Sequence, residues 1–158
     1  MAMPFFWSFS IVLAIFLPQG YVPDFPAGTF TDKESQKIEK ESDDIEERIK
    51  VYRKASERML DNLDKTVSRR EFQTAPDILS TWMLLITESL KDIEANLERK
   101  GKKSKPLIKY EIQVGKSIKN IQDYKIRAPV DQQDIFNRCI DQAESVRTKM
   151  LEILFNTE

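Results

Sequence analysis

The residues best suited to chemistry in this chain are the basic side chains between residues 99 and 127. This segment holds ten Lys or Arg side chains and two carboxylates, although the whole chain has 25 Lys and Arg, 26 Asp and Glu, and a net charge of −1. Charge is therefore segregated along the chain, which predicts a dipolar molecule with one basic surface. The side chains that could bind an anionic partner are Arg99, Lys100, Lys102, Lys103, Lys105, Lys109, Lys116 and Lys119.

Two hypotheses account for this basic surface. In the first, which the sequence favours, it balances the acidic residues 39–47 within the folded domain. Helices that alternate in direction would bring the hairpin 99–105 to the same end as that acidic run. In the second, the lysines that share one helical face bind an anionic partner; they are Lys102, Lys105, Lys109, Lys116 and Lys119.

The composition argues against most catalytic and metal sites. The chain has no His and one Cys. Without imidazole there is no Ser-His-Asp triad, no HExxH zinc site, no di-iron site with a Glu-x-x-His motif and no Cys-x-x-Cys-His haem attachment. A single thiol cannot form a thiolate metal site or an intrachain disulfide. Cys139 falls within an apolar stripe, so we expect it to be buried and unreactive.

Two other patterns are weaker than they look. Gly115-Lys116-Ser117 has the last three residues of a phosphate-binding loop, but Tyr110 stands where that loop needs a glycine. The acidic residues 39–47 are predicted to be helical and lack the loop geometry of a calcium site. We therefore expect no catalytic residue, no cofactor and no metal.

Helical periodicity dominates the rest of the chain. Thr31 and Glu34 form a capping box, and the apolar residues that follow predict one long first helix over 32–69, with a kink at 41–43 left open. Ser42-Asp43-Asp44 could also cap a second start, so a short helix followed by a long one is the alternative. Further helices are predicted to begin near Pro76, Pro106 and Pro129, because proline suits the first turn of a helix.

The third of these segments is ambiguous. Residues 107–114 alternate as a strand would, yet Leu107, Tyr110 and Val114 also share one helical face. We favour a helix, because a lone strand among helices has no partner.

Four amphipathic helices joined by short loops predict an all-α fold, an antiparallel up-down-up-down four-helix bundle with a long first helix. An extended coiled coil is the main competitor, but the breaks at 71–75, 101–106 and 127–130 are too regular for it.

The first residues differ from the remainder in composition. No charged residue precedes Asp24, and residues 5–17 form an apolar run of the length found in signal peptides. We divide the chain into residues 1–28, a signal peptide or apolar leader with a short linker, and residues 29–158, the helical domain. The leader lacks a basic start and an Ala-x-Ala site, so a membrane anchor over residues 3–22 remains the alternative to export into the periplasm or the medium. A soluble protein with a misassigned start is the weakest alternative.

These patterns predict an exported, non-enzymatic helical protein. We expect it to be an interaction or scaffold protein that binds a protein partner. The alternative is a membrane-tethered protein whose basic hairpin contacts anionic lipid. We expect no nucleic acid partner, and the sequence leaves the oligomeric state open.

Overall fold

The computed structural model describes residues 23–98 and 103–155 of the chain. This part is all-helical, as the sequence predicted, and has no strand. Short 3₁₀ turns at Phe72–Thr74 and Val130–Gln132 precede two of the helices. The α-helices are α1 (Asp32–Lys40), α2 (Ile45–Ser68), α3 (Ala75–Asn96), α4 (Lys105–Arg127) and α5 (Gln133–Phe155).

The predicted first helix is two helices, so the prediction of one helix over 32–69 is wrong. The capping box at Thr31 and Glu34 is present and begins α1. The chain leaves the helix at Glu41 and begins α2 after Asp44, whose carboxylate accepts a hydrogen bond from the Glu47 backbone N–H at 3.1 Å. Short polar residues just before this start favour a cap over a continued helix, because their side chains compete for backbone groups.

The ambiguous segment 107–114 is helical, as favoured. Ser104 caps the start of α4 by accepting a hydrogen bond from the Leu107 backbone N–H at 3.3 Å. Leu107, Tyr110 and Val114 are fully buried, whereas Ile112 is 47% exposed. A strand would have placed Tyr110 and Ile112 on the same face, so burial follows the helical period.

The long helices enclose one apolar core. α2 packs against α3 and α4, α5 packs against the same two helices, and α1 packs on α2. The predicted apolar stripes are buried; Ile49, Ile86 and Cys139 each have no exposed surface. The largest fully buried side chains are Trp82, Tyr52, Tyr110 and Phe136.

The segment before α1 also contacts this core. Phe25 and Phe30 lie edge to face with ring centroids 4.8 Å apart, and the Phe25 centroid lies 5.5 Å from that of Tyr52. Residues 23–30 therefore pack on α2. None of the described helices is long and apolar enough to cross a membrane.

Candidate functional site

The outer face of α4 carries four exposed lysines, which we call the lysine face: Lys105, Lys109, Lys116 and Lys119. They recur at steps of four, seven and three residues, which keeps them within about 100° of one another around the helix. The core residues of α4 lie on the opposite side of the helix. The helix that packs the domain therefore also displays the charge.

The lysine face differs from the other basic side chains in its contacts. Among the described residues, no carboxylate lies within ion-pair distance of any of its four lysines. On α2, by contrast, basic residues do pair with carboxylates; they are Arg48, Lys50, Arg53 and Arg58.

The other predicted basic residues are placed differently. Lys103 lies just before α4, with its Nζ 3.9 Å from the centroid of the Phe155 ring. Arg99, Lys100 and Lys102 lie outside the described residues. The structure thus brings five of the eight predicted site residues to one side of the domain.

A groove of about 530 Å³ lies between the first turns of α2 and α4, and we call it the basic groove. Glu46 is the one carboxylate among its described lining residues. Lys105 stands in the first turn of α4, where the positive end of the helix dipole makes a cation unfavourable by about 0.3–1 kcal/mol. The lining is Glu46, Lys50, Arg53, Lys103, Lys105, Pro106 and Lys109.

The arrangement is chemically suited to binding an anion. The positive charges of the lysine face and the basic groove reinforce the field of the α4 N-terminus instead of offsetting it. Of the acidic residues 39–47, Glu46 lines this groove, whereas Glu47 pairs with Lys37 and Lys50. The acidic run therefore meets the α2 side of the basic groove, because Lys50 is one of its lining residues, but none of its described carboxylates pairs with the lysine face.

A second groove of about 750 Å³ opens where α1, α2 and α3 meet. Its floor is a buried cluster centred on Asp92, which has no exposed surface. The walls mix apolar side chains with carboxylates; the lining is Pro23, Asp24, Phe25, Phe30, Ser35, Ile38, Glu39, Ser42, Asp43, Ile45, Arg48, Asp92 and Asn96.

Asp92 accepts four side-chain hydrogen bonds. Arg48 donates from Nε and Nη2, each at 2.9 Å, the Tyr52 hydroxyl donates at 2.6 Å, and Asn96 Nδ2 donates at 2.7 Å. Burial and the neighbouring carboxylate raise the pKa of Tyr52 well above its ordinary value. Both Asp92 oxygens are thus occupied, and the cluster joins α2 to α3 instead of presenting a reactive group.

This cluster was not predicted from the sequence. Arg48 and Asp92 directly precede the buried residues Ile49 and Ile93. Charged residues at the edge of an apolar stripe are usually solvated, so each position alone carries no signal. Only the packing of α2 on α3 reveals that the two charges are partners.

A polar chain crosses the middle of the core. The Trp82 indole N–H donates to Ser56 Oγ at 2.7 Å, and Ser56 donates to Gln113 Oε1 at 2.8 Å. Gln113 in turn donates to Ser117 Oγ at 2.9 Å. Trp82 is thus a packed core residue, and Ser117 lies within α4 instead of in a phosphate-binding loop.

Cys139, the one thiol of the chain, is buried in the core. Burial raises the pKa of the Cys139 thiol to about 12, so it is protonated at neutral pH and a poor nucleophile. Among the described residues, no group of three or more His, Cys, Asp or Glu side chains could hold a metal ion.

Gly115, the only glycine in α4, gives Arg147 of α5 room to cross the helix. Arg147 donates from Nε to the buried carboxylate of Glu111 at 2.6 Å. A Cβ atom added at Gly115 would lie 3.0 Å from that same nitrogen. The glycine therefore permits the ion pair between α4 and α5.

This contact predicts a coupling between Gly115 and Arg147. In an Arg147→Ala background, Gly115→Ala should stabilise the domain by about 0.5–1 kcal/mol, because alanine is the better helix former. In the wild-type background the gain should shrink or reverse, because the new methyl group displaces Arg147. Urea unfolding of the four proteins measures the coupling, and equal effects in both backgrounds would refute the close approach.

Similarity to known proteins adds nothing to this picture. No protein-family model, no curated protein and no solved structure matches the chain.

Proposed function

We propose that this chain is a non-enzymatic interaction protein that binds an anionic partner through the lysine face and the basic groove. The observation that carries the proposal is that four exposed lysines share one side of α4 and none pairs with a described carboxylate. Like charges gathered on one face repel one another, and an anionic surface relieves that repulsion.

The absence of a reactive site among the described residues supports the non-enzymatic part of the proposal. The buried polar groups that could act in catalysis are engaged with one another. Asp92 has four donors, and the Tyr110 hydroxyl lies 2.9 Å from Ser89 Oγ. Burial raises the pKa of Tyr110 further from neutrality, which makes it a poor acid or base at pH 7.

We further propose that α2 to α5 form a four-helix bundle in which successive helices alternate in direction. Contacts between α2 and α3 support it: Arg48 near the start of α2 meets Asp92 near the end of α3, whereas the later Ser56 meets the earlier Trp82. Lys103, just before the start of α4, contacts Phe155 at the end of α5, as expected if α4 and α5 run in opposite directions.

Contacts between α2 and α4 support the same arrangement. Ser56 bonds to Gln113, and farther along both helices Asp64 accepts a hydrogen bond from Tyr124 at 2.8 Å. Two helices that advance together run in the same direction, as the first and third helices of an alternating chain must. In this topology the first turns of α2 and α4 share one end of the bundle, where the basic groove lies.

Export remains part of the proposal. It rests on the uncharged, apolar residues 5–17, which lie outside the described residues. An exported interaction protein would meet anionic surfaces such as lipid headgroups, acidic polysaccharides or acidic proteins.

The proposal predicts binding that depends on salt and on the lysine face. Heparin serves as a soluble polyanionic probe, and its affinity for the wild-type chain should fall steeply as NaCl is raised, because exposed charges are screened. A lysine beside a dense anionic surface contributes about 1 kcal/mol. Lys105→Glu with Lys109→Glu should therefore weaken binding by at least about thirtyfold.

The matched control reverses two exposed lysines on other helices, Lys54 of α2 and Lys149 of α5. It makes the same change in net charge, so it should weaken heparin binding far less than the lysine-face variant. Equal losses in both variants would mean that only net charge matters, and the proposed site would be wrong.

A further inference from the structure

Two exposed isoleucines, Ile112 and Ile126, lie on the same side of α4 as the lysine face. Ile112 is 47% exposed and Ile126 is 81% exposed. Together with Lys105 and Lys119 they recur every seven residues, an interval that returns to within about 20° of the same direction on a helix. The outer side of α4 therefore alternates lysine and isoleucine along its length.

This side of α4 is directed away from the core. Leu107, Val114 and Ile121 are fully buried and lie about half a turn from Ile112 around the helix. From Lys105 to Ile126 the alternating face extends for about 32 Å along α4. Scattered apolar residues are ordinary on protein surfaces, but here they are aligned with lysines that pair with no described carboxylate.

We infer that the anionic partner is a lipid bilayer surface, on which α4 lies flat. This inference rests on the proposed function and names the partner of the same site. Lysine ammonium groups reach the headgroup phosphates while their methylene stems lie along the apolar boundary. Ile112 and Ile126 enter that boundary between them, as the apolar residues of interfacial helices do.

The isoleucines distinguish a bilayer from anions that have no apolar layer. A polysaccharide or a nucleic acid backbone would gain from the lysines and leave Ile112 and Ile126 in water. A bilayer interacts favourably with both side-chain types, because its negatively charged headgroups lie above an apolar layer.

One carboxylate on this face opposes the binding. Asp123 lies between Lys119 and Ile126 on the exposed side of α4. Its negative charge would approach anionic headgroups, so Asp123→Asn should strengthen vesicle binding severalfold. Asp134→Asn makes the same change at an exposed position on another helix, α5, and should have little effect.

The test uses the full chain and sedimentation with vesicles of phosphatidylcholine, with and without phosphatidylglycerol. Ile112→Ser with Ile126→Ser should weaken binding to the anionic vesicles by about tenfold or more and leave heparin affinity unchanged, because only the bilayer contacts the isoleucines. Vesicles without phosphatidylglycerol measure the binding that does not depend on anionic lipid.

Leu84 provides the matched control, because it is 44% exposed on α3 and Ile112 is 47% exposed on α4. Leu84→Ser should leave vesicle binding unchanged, whereas Ile112→Ser alone should reduce it. Urea unfolding of each variant verifies that it is folded in the assay.

The outcomes separate the inference from the proposed function. Heparin binding that requires the lysines, with vesicle binding absent or insensitive to both isoleucines, would overturn the bilayer and leave an anionic partner in place. Retained binding of both probes after Lys105→Glu and Lys109→Glu would overturn both proposals.

Discussion

Replacing Asp92 with Ala should lower the free energy of unfolding by about 3–5 kcal/mol. The substitution leaves the guanidinium of Arg48, a residue that is 6% exposed, without its carboxylate partner, and an unpaired buried charge is severely destabilising. It also removes the acceptor of the Tyr52 hydroxyl. Small domains have only about 5–15 kcal/mol of stability, so urea unfolding should show a large shift of the midpoint.

Two further proteins give this prediction its controls. Glu94→Ala removes an exposed carboxylate from the same helix and should change stability by no more than about 0.5 kcal/mol. Arg48→Met combined with Asp92→Leu removes both charges and should recover much of the loss. If Asp92→Ala were as mild as Glu94→Ala, Asp92 would not be the partner that makes burial of Arg48 tolerable.

The second large effect is expected at Ile86. This side chain has no exposed surface, so Ile86→Asp would place an unpaired carboxylate in the core between the helices. The loss should exceed about 4 kcal/mol and abolish cooperative unfolding at room temperature. Circular dichroism during urea titration would reveal that loss directly.

Leu84→Asp is the control for Ile86→Asp, because it introduces the same residue two positions away. Leu84 is 44% exposed, so the introduced carboxylate would reach water. This variant should unfold cooperatively with a stability near that of the wild type. Similar damage from both variants would contradict the assigned orientation of α3.

The helices were largely predictable because their signals are local. The capping box at Thr31 and the proline at position 76 mark starts that the structure contains, and the 3.6-residue period assigned Ile49 and Cys139 to the core. These features act within a few residues of one another, so they can be identified in a single sequence.

The break between α1 and α2 shows where local reasoning fails. The apolar period continues through residues 41–44, which favoured one helix, yet Asp44 caps a new start. Period and capping signals conflicted there, and the capping signal prevailed. Ile38 is only partly buried, so α1 gains less from packing than the other helices do.

The candidate site was predictable in part for the same reason. Lysines at helical spacing predict a shared face, and the structure places Lys105, Lys109, Lys116 and Lys119 on one side of α4. The basic groove could not be predicted, because it requires α2 and α4 to be neighbours with their first turns together. Arg48 and Asp92 are separated by 44 positions, so their ion pair was equally hidden.

The two hypotheses for the basic surface differ in what they predict for the fold. If the lysine face binds a partner, its charges contribute little to the folded domain alone. If it balances the acidic run, Glu46 of the basic groove should be its partner. Asp43 lines the other groove and is less well placed for that role.

The central claim is that the lysine face binds a partner and does not stabilise the fold. The free energy of unfolding of the Lys105→Glu, Lys109→Glu variant at low salt tests this claim most directly. We predict that this variant is at least as stable as the wild type, because the first turn of α4 favours an anion over Lys105 and individual exposed charges otherwise contribute little to stability. A loss of more than about 1 kcal/mol that Glu46→Lys restores would show coupled charges within the fold and would contradict the account.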